Sequence, residues 1–229
     1  MTAEELRTTM EQERAWRQEE LAFFKNMLNN IDDEDKKDKY RKSLVLILYS
    51  HMEGYVKICL QTYVQYINDL KLPKKQFVNG LIAAGMHREF LAYENMDRKC
   101  KVFKTKLPED SALHRFYRRV DFVKCFNDFT KSILSIEDSV IDTESNLWYI
   151  TLQKNLYKIG IPVDIFEKYQ KTIDALVNRR NSIAHGNCTS GVKQIEFENW
   201  EKNIGEMLTA LTTTIYEFAL HEKYLCKQE

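Results

Sequence analysis

Arg180, Asn181 and His185 lie in the stretch "ALVNRRNSIAHGN", residues 175–187, and are residue types that can move a proton beside an anion. Histidine titrates near neutrality, so it takes or gives a proton at useful rates. Arginine carries a permanent charge on a planar donor fork that fits phosphate or carboxylate oxygens. Asparagine orients an imidazole or donates to an anionic oxygen. On a helical wheel at about 100° per residue, Tyr169, Ile173, Leu176, Val177, Ile183 and Ala184 fall within about 60° of Arg180. The guanidinium therefore sits at the centre of an apolar stripe. A buried, unpaired guanidinium is costly, so the position calls for a carboxylate, a bound phosphate or an interface. Asn181 and His185, at i and i+4, meet on the flank of that stripe, with Asn178 and Ser182 on the same edge. Arg180 and His185 stand about 140° apart and roughly 7–8 Å along the axis, close enough to converge on one ligand.

The elements that position this cluster read as helices. Glycine (7) and proline (3) are scarce and charged residues reach 30%, a balance that favours long solvent-faced helices over a loop-rich β-fold. An amphipathic helix is expected over about 3–30, then a polar turn at "NNIDDEDKKDK" (29–39). From about 39 to 70 apolar residues cover nearly every side, the mark of an enclosed central helix that "KLPKK" (71–75) stops. Residues 76–110 are the least regular, with short helices and a possible strand in "RKCKVFKTKL" (98–107), or an insertion. A helix over 112–136 carries Phe116, Val120, Val123, Phe126 and Ile133 as its apolar positions. Another spans 144–162, with Ser145 or Asn146 as N-cap. The motif helix runs from about 163 to 184 and ends at Gly186, the expected left-handed cap. A last helix covers 196–224. No repeat and no Gly/Ser/Pro-rich linker interrupts the chain, so 1–229 reads as one all-α domain.

Composition excludes several classes. Lys+Arg and Asp+Glu balance at 34 each, so any pull on polyanions must come from a local patch. The five cysteines are scattered, without a zinc or disulfide spacing, which suits a reducing cytosol and leaves no metal or cofactor expected. The opening "MTAEELRTTMEQER" is acidic and polar, unlike a signal peptide, and the apolar run "LVLILY" is too short to cross a bilayer. A cytoplasmic protein away from the membrane is expected.

Arg180-Asn181-Ser182-Ile183-Ala184-His185 fits the signature of the HEPN superfamily, an arginine, a polar residue, and a histidine after four to six intervening positions. "AWRQEELAFFKNML" (15–28), "LVLILYSHMEGYVK" (44–57) and "SNLWYITLQKNLYKIGI" (145–161) resemble, in order, blocks of a stand-alone prokaryotic branch of that superfamily. The resemblance implies a HEPN-like helical bundle that dimerises through its motif helix, so that two motifs face one cleft. It implies metal-independent endoribonuclease activity in a toxin–antitoxin or antiphage defence system, with Arg180 and His185 catalytic and Asn181 supporting. RNA brings its own nucleophile, the 2′-hydroxyl, so the products would be a 2′,3′-cyclic phosphate and a 5′-hydroxyl, and DNA would be inert. The other reading is a non-catalytic module that binds a nucleotide, RNA or a protein partner. Asn187 stands where some toxins of the superfamily carry a tyrosine modified by their antitoxin, so that route of neutralisation is not expected.

Further candidates follow. Glu53 shares a face with Leu46, Tyr49, Val56 and Leu60, where it would orient Arg180 or pair with Lys57 at i+4. His51 points away from that face and reads as a core histidine. The basic runs "RKCKVFKTK" and "HRFYRR", with Lys101, Lys104, Arg115, Arg118 and Arg119, would track an RNA backbone or simply be solvated. Arg179, about 100° off the stripe, suits either an RNA phosphate or the last carbonyls of its own helix.

Overall fold

A computed structural model describes residues 1–103 and 111–226. Helix α1 (Ala3–Asn26) opens with a capping box, in which Glu5 N–H donates to Thr2 Oγ1 at 3.1 Å and Thr2 N–H to Glu5 Oε2 at 2.7 Å. A 3₁₀ turn, Met27–Asn30, follows. Helix α2 (Glu34–Asp69) starts earlier than the charge run suggests, because the Asp33 carboxylate accepts the Lys36 N–H at 2.8 Å and caps it. The polar turn thus shrinks to a few residues.

Buried residues recur on every side of α2, from Leu44 and Tyr49 to Val56, Tyr63 and Ile67, because α1, α7 and α8 all pack against it. Each such side chain contributes about 1.5–3 kcal/mol by leaving water. On length and composition alone α2 is apolar enough to cross a membrane, but here it is the enclosed core helix.

The chain leaves α2 through Lys71, in the left-handed region at φ 53°, and a 3₁₀ turn, Lys74–Gln76. Short helices α3 (Asn79–Ala84) and α4 (His87–Glu94) follow. Residues 98–103 form no strand, and the only extended pairings among the described residues are isolated bridges, Pro73 with Ile133 and Phe77 with Leu225. Lys104 lies outside the described residues.

Helix α5 (Ser111–Lys131) packs on α4 and the 74–76 turn with a face other than the anticipated one. Phe122 sits among Phe90, Tyr93 and Phe129, with ring centroids 5.7–6.2 Å apart, and Arg118 is buried beside them. Phe116, Val123 and Phe126 are exposed instead.

Helix α6 (Tyr149–Lys158) begins later than expected and has no side-chain cap of its own. Its Tyr149 N–H donates to Asp174 Oδ1 on the next long helix at 3.0 Å. That helix, α7 (Gln170–Ala184), also starts late. Phe166 is fully buried and anchors a turn before it, so 163–169 folds as turns and a 3₁₀ segment. Helix α8 (Gln194–Leu220) closes the bundle against α1, α2 and α7.

Candidate functional site

The apolar stripe of α7 buries Ile173, Leu176 and Val177 against α2 and α8, which brings Arg180 to the edge of the core near Tyr49. The guanidinium is half-buried. Its carbon lies 4.7 Å from the centre of the Tyr49 ring. Nη1 donates to Asn146 Oδ1 at 3.0 Å and to Asn181 Oδ1 at 2.8 Å. Its partners are therefore an aromatic face and two neutral amides, and no carboxylate among the described residues pairs with it. Nε and Nη2 have no protein acceptor among the described residues and are not sealed from water.

Tyr49 is 1% exposed and ties this corner together. Its hydroxyl accepts the Leu147 N–H at 2.9 Å and donates weakly to Asn146 Oδ1 at 3.5 Å. Burial pushes the phenol up to about 12, with the Glu53 charge adding to the rise and the Leu147 N–H and Arg180 opposing it. It stays a neutral phenol through the physiological range. Asn146 is thus not the cap of α6. It sits in the loop that Asp174 and Tyr49 hold against α7, where its amide oxygen meets the guanidinium.

His185 is the C-cap of α7, and its imidazole is exposed, with no hydrogen bond among the described residues. Gly186, at φ 72°, takes the left-handed position beyond it. Gly186 N–H donates to Ile183 O at 3.1 Å and Asn187 N–H to Ser182 O at 2.9 Å, the paired bonds of a Schellman stop. The helix therefore ends on His185 and leaves its ring at the rim.

The segment behind the motif is fastened to the start of α2. Asp38 holds Arg41 Nη1 at 2.6 Å and pairs with Lys193, while Val192 N–H donates to the Asp38 carbonyl at 2.8 Å. Gly191 passes so close that an added Cβ would lie 2.8 Å from the Asp38 carbonyl carbon. Lys42 Nζ reaches Cys188 O at 2.5 Å. Arg179 belongs to this fastening, donating to Gly191 O at 2.8 Å with Glu196 at 3.9 Å.

The remaining candidates divide. Glu53 is half-buried beside the Tyr49 phenol and forms no ion pair with Arg180 or Lys57 among the described residues. His51 is buried and meets Glu20 Oε2 through Nε2 at 2.7 Å. Arg118 corrects the RNA-tracking reading. It is 4% exposed and donates to Tyr93 O at 2.8 Å and Arg98 O at 3.3 Å, so it cannot meet a phosphate. Lys101, Arg115 and Arg119 are exposed, but α5 packs on α4 and the 74–76 turn rather than on α7. Sequence reasoning missed Tyr49 as a floor for Arg180 and took Asn146 for a cap. The available signals were Tyr49 one turn before Glu53 and an asparagine in the block that opens at residue 145. Among the described residues no His, Cys, Asp or Glu cluster has the make-up of a metal site.

No curated protein and no solved structure matches the chain. A model of the RiboL-PSP-HEPN family matches residues 12–217, and the chain belongs to that family of the HEPN superfamily.

Proposed function

We propose that the protein is a cytoplasmic, metal-independent endoribonuclease of a prokaryotic toxin–antitoxin or antiphage defence system, with Arg180 and His185 as its catalytic pair. What carries the reading is a half-buried arginine held by neutral acceptors, on the helix that ends at an exposed histidine. Family membership supports it, since the HEPN superfamily is generally one of ribonucleases.

In this reading, one phosphodiester lies between the two side chains. Nε and Nη2 of Arg180 donate to the nonbridging oxygens and stabilise the charge that grows as the 2′-hydroxyl attacks phosphorus. The P–O5′ bond breaks, leaving a 2′,3′-cyclic phosphate and a 5′-hydroxyl. His185 moves a proton at one of the two oxygens concerned, and in a homodimer the partner's motif serves the other. Asn181, one residue from Arg180, shares its positioning with Asn146.

One observation favours the other reading, a module that binds RNA, a nucleotide or a protein without cutting. Among the described residues the exposed His185 imidazole meets no acceptor or donor that would fix its tautomer. Purified protein incubated with RNA and EDTA separates the two. Cleavage should persist in chelator, leave cyclic phosphate ends, spare 2′-O-methyl RNA, and fall by about 10² or more in His185→Ala. Equal cleavage by His185→Ala and wild type would remove the mechanism.

A further inference from the structure

The outward face of α5 has features that the ribonuclease reading leaves unused. Phe116 is 60% exposed and Val123 70%, while the opposite face, with Phe122 and Phe129, does the packing; Phe126, 45% exposed, stands between the two, its ring 5.9 Å from that of Phe122. Phe116, Val120, Val123, Asn127 and Thr130 follow one another at alternating steps of four and three. At about 100° per residue, all lie within about 40° of Phe116, which is the seam a helix presents to a second helix. Arg119 borders this seam on one side and Lys124 and Lys131 on the other, while Arg115 lies further round, one heptad before Phe122. All four are exposed and none forms an ion pair among the described residues; Arg119 reaches only the Tyr93 hydroxyl, at 3.4 Å. Asp121 lies away from the seam, bonded to Arg98 at 2.5 Å, and Asp128 stands just beyond Lys124. In a chain whose formal charges sum to zero, this is a local cationic border around an apolar line.

We infer that this face docks an acidic amphipathic helix of a protein partner. The alternating spacing selects a helix as the occupant. Val120 and Val123, at the centre of the seam, are β-branched and offer no π-face, so the line is not a stacking track for RNA bases. Cations on both borders would face cations of a second copy laid along it, whereas a helix with acidic flanks neutralises them. The inference stands apart from the chemistry at His185.

The test uses the full chain and two labelled synthetic peptides of about four heptads, with leucine at a and d. One carries glutamate at e and g, whose repulsion keeps it from pairing with itself; its twin carries lysine there. Binding is followed by fluorescence anisotropy, with circular dichroism confirming that each variant is folded. Wild type and His185→Ala should both bind the glutamate peptide and ignore the lysine twin. Val123→Asp should weaken binding about tenfold or more, because it places a charge in the seam. Joint Arg119→Glu, Lys124→Glu and Lys131→Glu should transfer the preference to the lysine twin. Failure to bind the glutamate peptide, or equal binding of both peptides, would overturn the inference. So would displacement of the peptide by oligouridine or phosphatidylserine vesicles, or a wild-type dimer in sedimentation that Val123→Asp splits. Loss of cleavage in His185→Ala with peptide binding retained keeps this inference distinct from the ribonuclease reading.

Discussion

A guanidinium bound by amide oxygens keeps its full charge for a ligand, whereas one bound by a carboxylate has already spent it. That contrast gives Asn146 its importance, because its Oδ1 fixes Arg180 Nη1 at 3.0 Å without neutralising it. Asn146→Asp should preserve the geometry and add a competing anion. RNA cleavage should fall about tenfold or more, and further than in Asn146→Ala, which removes the acceptor but leaves the charge free. Equal rates in the two variants would show that the amide acts by position alone. Arg180 and His185 were legible in the sequence because both lie on one helix, where spacing dictates direction. Tyr49 and Asn146 were not, because they come from elements remote in sequence, and an asparagine before a helix looks like a cap whichever way its amide turns. The adjacent Arg118 and Arg119 make the same point at smaller scale. One step of the helix separates a guanidinium buried on backbone carbonyls from one at the surface.

At the scale of the element, the end of α7 is set twice, once by its own stop and once by the fastening behind it. Gly186 holds φ at 72° with no atom within 4 Å of an added Cβ, so substitution meets backbone strain and no clash. Gly186→Ala should lower stability by about 1 kcal/mol in urea unfolding, and Gly186→Asn by less, since asparagine tolerates that conformation better. The fastening depends on Asp38, whose carboxyl is held below the usual range, first by its hydrogen bond from Lys193 and then by the charges of Lys193 and Arg41, against the cost of burial. A carboxyl depressed in the folded state contributes stability that is whole above its unfolded pKa, about 4, and lost as pH falls toward the folded value. Asp38→Asn should therefore lower the urea midpoint at neutral pH and flatten its decline between roughly pH 5 and pH 3. An unchanged acid slope would assign that decline to other carboxylates. The motif helix and its glycine stop were readable from pattern; its late start at Gln170 was not. Phe166 prefers burial in a turn to a place on the helix, and only the surrounding packing sets that preference.

Over the whole molecule, α2 is the axis on which α1, α7 and α8 close, and its core tolerates a defect. Tyr63 is fully buried, and its hydroxyl has no hydrogen-bond partner among the described residues. An orphaned buried hydroxyl costs more than its absence, so Tyr63→Phe should raise global stability by about 1 kcal/mol. A loss of stability would mean that the hydroxyl has a partner, such as a bound water. The all-α class was legible because scarce glycine and proline and a helix apolar on every side leave few other architectures. The packing of α5 was not, because both of its faces carry large apolar side chains. Periodicity finds such faces without ranking them, and α4 sided with Phe122.

The sequence by itself determined the all-α class, the superfamily signature and the places of Arg180 and His185 at the end of one helix, on its apolar stripe and on the flank of that stripe, because each depends on neighbours within a few turns of chain. Only the tertiary structure decided what surrounds the guanidinium, which arginines are buried and which face of α5 packs against α4. Those outcomes depend on contacts between segments far apart in sequence, where several partners of similar chemistry compete and closure of the bundle selects among them.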